Sequence, residues 1–262
     1  MTSFEIYFHE IDYAFPMVWV RGSGETGYLF GDKEKQNVQV RDFFISQYPV
    51  TQKLWEYITG NNPSHFHGQD RPVECVSFND ITQKGGFLEK LKFSAGSRYE
   101  LNSAVIFRLP SETEWEYSAR GGTHWADGFQ FSGSNDLNSV GWYDRNSGKY
   151  NDPEILSKLK NQEKGTETHD VGQKSPNQLG IFDMCGNVWE WCQDFFQTDI
   201  KKIPKDGTPY AEESGERVLR GGCHHNWAFH CTTSKRYEIA PDAKDECIGF
   251  RIAGHNSLVK LP

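Results

Sequence analysis

FRLPSETEWEYSARGG, residues 107–122, carries the strongest local folding signal in the chain. Ser111 and Glu114 form the S-x-x-E pattern of a capping box, in which each side chain hydrogen-bonds the backbone N–H of the other residue. Gly121 is placed to end the helix that this cap begins. The stretch therefore predicts a well-capped helix with a structural role, and not a reactive site.

Helices and strands are also predicted on the N-terminal side of this stretch. Apolar residues at helical spacing predict a helix over 51–59 and a second over 79–91, although two glycines interrupt the second pattern. Residues 15–31 alternate apolar side chains and then turn through glycines, which predicts a strand that enters a hairpin. Residues 38–51 repeat that pattern.

The second half of the chain is more polar and irregular. Residues 123–178 are rich in Gly, Asn, Ser and Asp, and 149–170 are predicted to be a polar excursion on the surface. Neither an internal repeat nor a linker divides the chain. We therefore predict one α+β domain over residues 1–262, with short strands and long ordered loops.

Composition narrows the possible partners and the compartment. The 262 residues carry a formal net charge of −8, which argues against a duplex nucleic-acid binder, because phosphate neutralisation needs a basic face. Residues 1–15 have acidic side chains and no apolar core, unlike a signal peptide. No stretch approaches the roughly 20 apolar residues of a membrane helix. We expect a soluble, cytoplasmic protein without membrane contact, whose six cysteines are free thiols.

Four motifs in a fixed order link the chain to a known family. They are FRLPSETEWEYSARGG, NQLGIFDMCGNVWEWCQDFF (177–196), RVLRGG (217–222) and CIGFRIA (247–253). Together they resemble the formylglycine-generating-enzyme, or sulfatase-modifying-factor, family over residues 16–253. The resemblance implies a C-type-lectin-like fold with small mixed sheets, two to three main helices and long ordered loops.

The same family suggests an oxidase as one hypothesis. Its copper-dependent members convert a sulfatase cysteine to formylglycine and bind Cu(I) through two thiolates spaced C-x-x-x-x-C after a Gly-Gly pair. Cys231 falls on the second of these positions, but Asn226 falls on the first, and an amide cannot replace a soft thiolate ligand. Cys223 with Cys231 is the alternative pair, at a longer spacing. The iron-dependent relatives carry an additional N-terminal helical bundle with a histidine triad, for which we expect no room in this chain.

Residues 223–231 also contain the side chains that zinc prefers. The candidate ligands are Cys223, His224, His225, His230 and Cys231. Their spacing matches no familiar zinc pattern, and adjacent histidines on an extended strand would point to opposite sides. Surface histidines without a metal are therefore the expected arrangement.

The segment 217–253 also resembles the variable region of retroelement-diversified proteins, in which family framework residues alternate with chemically unlike residues. Aromatic, His and Asn side chains on one irregular segment suit a contact surface for a protein or small-molecule ligand. We therefore predict a non-catalytic binding face within 223–246, although Trp227 could instead be a displaced structural tryptophan of the core. The predicted contact residues are His224, His225, Asn226, Trp227, Phe229, His230, Tyr237, Glu238, Ile239, Asp242 and Lys244.

A structural calcium site is a separate prediction. In the family, the turn that corresponds to GNVWEW (186–191) often helps to hold a calcium ion. Asn187 and Glu190 supply the hard oxygen ligands that calcium prefers. The alternative is a structural turn without metal. In either case the turn would order loops and take no part in a reaction.

Overall fold

The computed structural model describes residues 3–96, 105–148 and 165–256. Its largest sheet has five antiparallel strands in the order β1 (Phe4–Phe8), β2 (Tyr13–Val20), β5 (Phe43–Ser46), β11 (Ala253–Asn256) and β6 (Val105–Arg108). Strand β11 lies between β5 and β6, so strands from both ends of the described chain share one sheet.

The second sheet carries the C-terminal segment. Its order is β10 (Ile248–Gly249), β7 (Trp189–Phe195), β8 (Arg217–Arg220) and β9 (Arg236–Ile239). Strands β7, β8 and β9 are antiparallel neighbours, whereas β10 runs parallel to β7. Strand β9 lies at the edge of this sheet, beside the predicted binding segment.

The predicted hairpin at residues 15–31 is wrong. Strand β2 pairs with β1 and β5, whereas β3 (Tyr28–Phe30) pairs with β4 (Gln36–Val38) in a separate two-stranded sheet. The glycine-rich turn after β2 therefore leads into a different sheet and does not return the chain beside β2.

The helices are short, and the sequence located two of them well. The helices are α1 (Gln52–Thr59), α2 (Phe78–Thr82), α3 (Phe87–Gly96), α4 (Glu112–Ala119) and α5 (Leu137–Val140). The prediction for 51–59 is confirmed, with Thr51 as the N-cap whose side chain accepts from the N–H of Leu54. The capping box of Ser111 and Glu114 is also confirmed at the start of α4.

The single helix predicted over 79–91 is wrong, because two glycines divide it into α2 and α3. Gly85 has a φ of +76°, a conformation that ends a right-handed helix. At Gly86 the chain runs so close to α2 that a Cβ would lie 2.8 Å from the carbonyl oxygen of Asp80. The periodicity matched a helix over this range because α2 and α3 both bury apolar residues against the same core.

Helix α4 is an interior element, and it anchors the second sheet. All eight of its residues are buried, including Glu112 and Glu116. The two carboxylates bind arginines from that sheet: Arg236 donates from Nε and Nη2 to Glu112 at 2.6 Å each, and Arg220 donates to Glu116. Paired, hydrogen-bonded charges of this kind can be buried, since each group has lost water but gained a partner. The expected structural role of α4 is thus confirmed.

Of the predicted surface excursion, residues 149–164 lie outside the described residues. Residues 165–170 are described, and within them Thr168 is buried. The preceding segment also buries side chains, because Phe131 and the α5 residues Leu137 and Val140 form part of a small apolar cluster.

Candidate functional site

The predicted binding segment leaves β8 through two glycines in the left-handed region. Gly221 and Gly222 have φ values of +99° and +76°. The carbonyl oxygen of Gly221 accepts from the N–H of Gly186 at 2.8 Å, which fixes the turn against the loop before β7. A Cβ at Gly222 would lie 2.7 Å from the Sγ of Cys231, so no larger residue fits there without movement. The segment therefore begins from a tightly defined position.

Aromatic side chains dominate the exposed surface of this segment. Trp227, Phe229 and Tyr237 are 54%, 53% and 47% exposed. They are three of the six large hydrophobic side chains that are exposed among the described residues; the other three are scattered elsewhere. The rings of Trp227 and Phe229 meet edge to face, with centroids 5.7 Å apart. Trp227 is therefore a surface residue and not a displaced core tryptophan.

The structure divides the other predicted contact residues by exposure. His225, Asp242 and Lys244 are exposed; Asn226, His230, Glu238 and Ile239 are partly exposed. Lys244 Nζ forms a 2.7 Å ion pair with Asp80. His224 is only 1% exposed, which corrects its place in the predicted face: its backbone N–H is held by the carbonyl oxygen of Asn187, and its ring points into the protein.

His224 and His225 both contact Cys247, which the sequence did not single out. Residues 223–226 form a turn in which the N–H of Asn226 donates to the carbonyl oxygen of Cys223 at 3.0 Å. The extended strand assumed for the two histidines is therefore wrong. The Sγ of Cys247 lies 3.4 Å from His224 Nε2, 3.2 Å from His225 Nδ1 and 2.8 Å from the Sγ of Cys223.

This cluster shifts the pKa values of its members. Burial alone would raise the pKa of Cys223, but hydrogen bonds from Cys247 and His225 and the charge of His225 lower it to about 6. The hydrogen bond to Cys223 raises the pKa of His225. Burial, assisted by the nearby His225, lowers the pKa of His224 to about 3. Burial also raises the pKa of Cys247, as does its bond to Cys223. These shifts make Cys223 the more acidic of the two thiols, and they disfavour the protonated form of His224.

Cys231 and His230 lie outside this cluster. Cys231 belongs to the small apolar cluster that contains Cys185, and burial raises its pKa well above the usual value. Cys223 belongs to the main core with Cys247. Cys192 lies in a third cluster. The two thiols of the oxidase hypothesis thus occupy different environments, and each has another cysteine in its own cluster.

The two predicted calcium ligands have protein partners. Asn187 Oδ1 accepts from the N–H of His169 at 3.0 Å, and Asn187 Nδ2 donates to the carbonyl oxygen of His169. Both oxygens of Glu190 accept from Arg251, and Oε2 also accepts from Trp115 Nε1 at 2.6 Å. Calcium at this turn stays a prediction, and an ion there would have to exchange with these partners.

The comparisons with known proteins agree with this fold. Residues 14–256 match the family described as sulfatase-modifying factor enzyme 1-like domain, close to the predicted range of 16–253. The chain is 32% identical over 229 residues to the chaperone protein LppX of Paenibacillus barcinonensis, covering 76% of this chain and 74% of that protein. It is 30% identical over 205 residues to the formylglycine-generating enzyme of Streptomyces coelicolor, covering 77% of this chain but only 56% of the enzyme.

A solved structure is similar over nearly its whole length. Treponema denticola variable protein 1 superposes with a TM-score of 0.77 at 27% identity, covering 97% of this chain and 99% of that one. No helix within the described ranges has the length and apolar character needed to cross a bilayer. The four motifs, the α+β architecture and the family match lead to one conclusion: the chain belongs to the sulfatase-modifying factor enzyme 1-like family, on a C-type-lectin-like fold.

Proposed function

We propose that this protein is a non-catalytic ligand-binding protein that presents residues 223–246 as its contact face, in the manner of a retroelement-diversified variable protein. One observation carries the proposal. Three half-exposed aromatic side chains, Trp227, Phe229 and Tyr237, are concentrated on a segment that follows strand β8 and includes strand β9, and ion pairs of Arg220 and Arg236 tie these two strands to α4.

The chemistry of this face suits binding. Aromatic rings supply large contact areas at a low cost in side-chain entropy, and polar neighbours such as His225 and Asp242 supply adaptable hydrogen bonds. Arg220 and Arg236 hold the flanking strands against α4, so the backbone of the face is ordered before a ligand arrives. Such preorganisation reduces the entropy that binding must overcome.

The similarity to Treponema denticola variable protein 1 supports the proposed likeness to variable proteins, because the two chains cover each other almost completely. The environment of Cys231 supports a non-catalytic role for the protein. Cu(I) selects thiolates, whereas Cys231 is a fully buried thiol whose pKa is raised by burial.

Sequencing this gene in many isolates of its source tests the proposal. We expect substitutions to concentrate at exposed positions of the face, such as Trp227, Phe229 and Tyr237, while Gly222 and Arg236 stay constant. The matched controls are three exposed hydrophobic residues outside the face: Leu29, Phe93 and Ile106. Equal substitution rates at the face and at these controls would overturn retroelement diversification.

A Cu(I) titration tests the oxidase alternative. The reduced protein is titrated without oxygen in competition with a chelator of known affinity. We expect Cys231→Ser to bind Cu(I) as the wild type does, because Cys231 lies in an apolar cluster apart from Cys223. Tight one-to-one binding that disappears in Cys231→Ser, but persists in Cys247→Ser, would instead support a copper oxidase.

A further inference from the structure

We propose that Cys223, Cys247 and His225 form a zinc-binding site at the base of the 223–246 face. The two sulfurs and a ring nitrogen of His225 all lie within 4.8 Å of one another. The site does not involve Cys231, and it does not depend on the face binding a ligand. It adds a metal to a position where the sequence pattern alone predicted none.

The cysteine–histidine spacing is close to that of a tetrahedral zinc site, whereas the two sulfurs lie nearer to each other than such a site requires. With Zn–S of about 2.3 Å and Zn–N of about 2.0–2.1 Å, a tetrahedron places sulfur and nitrogen about 3.6 Å apart and two sulfurs about 3.8 Å apart. The nitrogens of His225 and His224 lie 3.2 Å and 3.4 Å from the Sγ of Cys247. The two sulfurs, now 2.8 Å apart, would separate by about 1 Å around a metal.

The ligand types select a borderline-soft metal. Two cysteine sulfurs and one imidazole are a known zinc set, with a fourth position left for water or another ligand. His224 Nε2 also lies 3.4 Å from the Sγ of Cys247, but His224 is not one of the three residues whose ligand atoms are all within 4.8 Å of one another.

The surroundings of the cluster support a cation. The N–H of Cys223 donates to Asn226 Oδ1 at 3.1 Å, and the N–H of Cys247 donates to Asp245 Oδ1 at 2.9 Å. These bonds hold the backbone behind both sulfurs. The carboxylate of Asp245 brings negative charge to the site, and the exposed ring of His225 leaves an entry path from solvent.

Such a site would join the two ends of the binding segment. Cys223 follows the glycine turn after β8, and Cys247 directly precedes β10. A metal held by both would close the intervening loop at its base. Because closing a loop removes conformational freedom from the unfolded chain, zinc would stabilise the face as well as order it.

Zinc affinity of the reduced, metal-free full-length protein tests the proposal, measured by competition with a chromogenic chelator. We expect one zinc per chain, and no such binding in Cys247→Ser. Cys231→Ser is the matched control, since it removes another fully buried thiol and should leave the affinity unchanged. Circular dichroism of each variant, recorded in parallel, shows whether the fold is retained.

His225→Ala keeps the test valid if Cys247→Ser does not fold, because the His225 ring is exposed. We expect at least about tenfold weaker zinc binding in this variant, since losing even a supporting residue of a metal site commonly costs that much. Wild-type binding no tighter than that of Cys247→Ser would overturn the site. The proposal would also be overturned if the protein contained a Cys223–Cys247 disulfide and bound no zinc after that disulfide was reduced. Binding of Cu(I) without any binding of zinc would overturn it equally.

Discussion

Replacing Glu190 with alanine should lower the free energy of unfolding by about 3–5 kcal/mol. The Glu190 carboxylate accepts two hydrogen bonds from Arg251, at 2.6 and 2.7 Å, and one from Trp115 Nε1. All three side chains are fully buried. Removing the carboxylate leaves a buried guanidinium without its counter-charge, and that desolvated cation is the main source of the loss. Denaturant unfolding of the two proteins measures the difference.

Glu238→Ala is the control for this experiment. Glu238 lies on the edge strand β9 and is partly exposed. Its replacement by alanine should therefore change the free energy of unfolding by no more than about 0.5 kcal/mol. The double variant Glu190→Ala with Arg251→Ala should lose less free energy of unfolding than the two single variants lose together, because the second change removes the unpaired charge. A loss below about 1 kcal/mol for Glu190→Ala would show that the pair is not buried in solution.

Gly222→Ala should destabilise the protein by about 2–5 kcal/mol, from two separate causes. An L-residue at a φ of +76° costs about 1–2 kcal/mol. The added Cβ would also lie 2.7 Å from the Sγ of Cys231 and 2.9 Å from the carbonyl oxygen of His230, and overpacking of this kind costs about 1–3 kcal/mol. Thermal and denaturant unfolding report the total.

Gly215→Ala separates the two causes. Gly215 has a φ of +87°, but nothing lies within 4 Å of the position of its Cβ. This variant should therefore show only the conformational cost of about 1–2 kcal/mol. Equal losses for the two variants would mean that the turn after β8 yields to the methyl group, and that the binding segment is less tightly fixed than its contacts indicate.

Local sequence signals predicted much of this fold. The capping box of Ser111 and Glu114 and the helical spacing over 51–59 depend only on residues three or four positions apart, so they could be identified from the sequence. The choice of strand partners could not be identified this way. Whether the strand over Tyr13–Val20 pairs with β3, the next strand along the chain, or with β1 and β5 depends on the whole sheet, and the glycine turn after it is compatible with both.

The cysteine–histidine cluster shows the same limit. The sequence pattern points to Cys223, His224 and His225, but Cys247 is 24 positions away from Cys223 and belongs to a separate family motif. The two approach because β8 and β10 both flank β7, so the residues that follow β8 and precede β10 meet at one end of the sheet. Periodicity within either segment carries no sign of this approach.

The order of strands in the large sheet has a consequence for synthesis of the chain. Strands β5 and β6 are neighbours only through β11, whose residues are made after nearly all the others that the structure describes. A nascent chain can form β1, β2 and β5 early, but both β5 and β6 keep an open edge until residues 253–256 leave the ribosome. Unpaired edges attract other chains. The large sheet is therefore completed only after residues 253–256 have been made, and a chain interrupted shortly before β11 would be a substrate for chaperones or for aggregation.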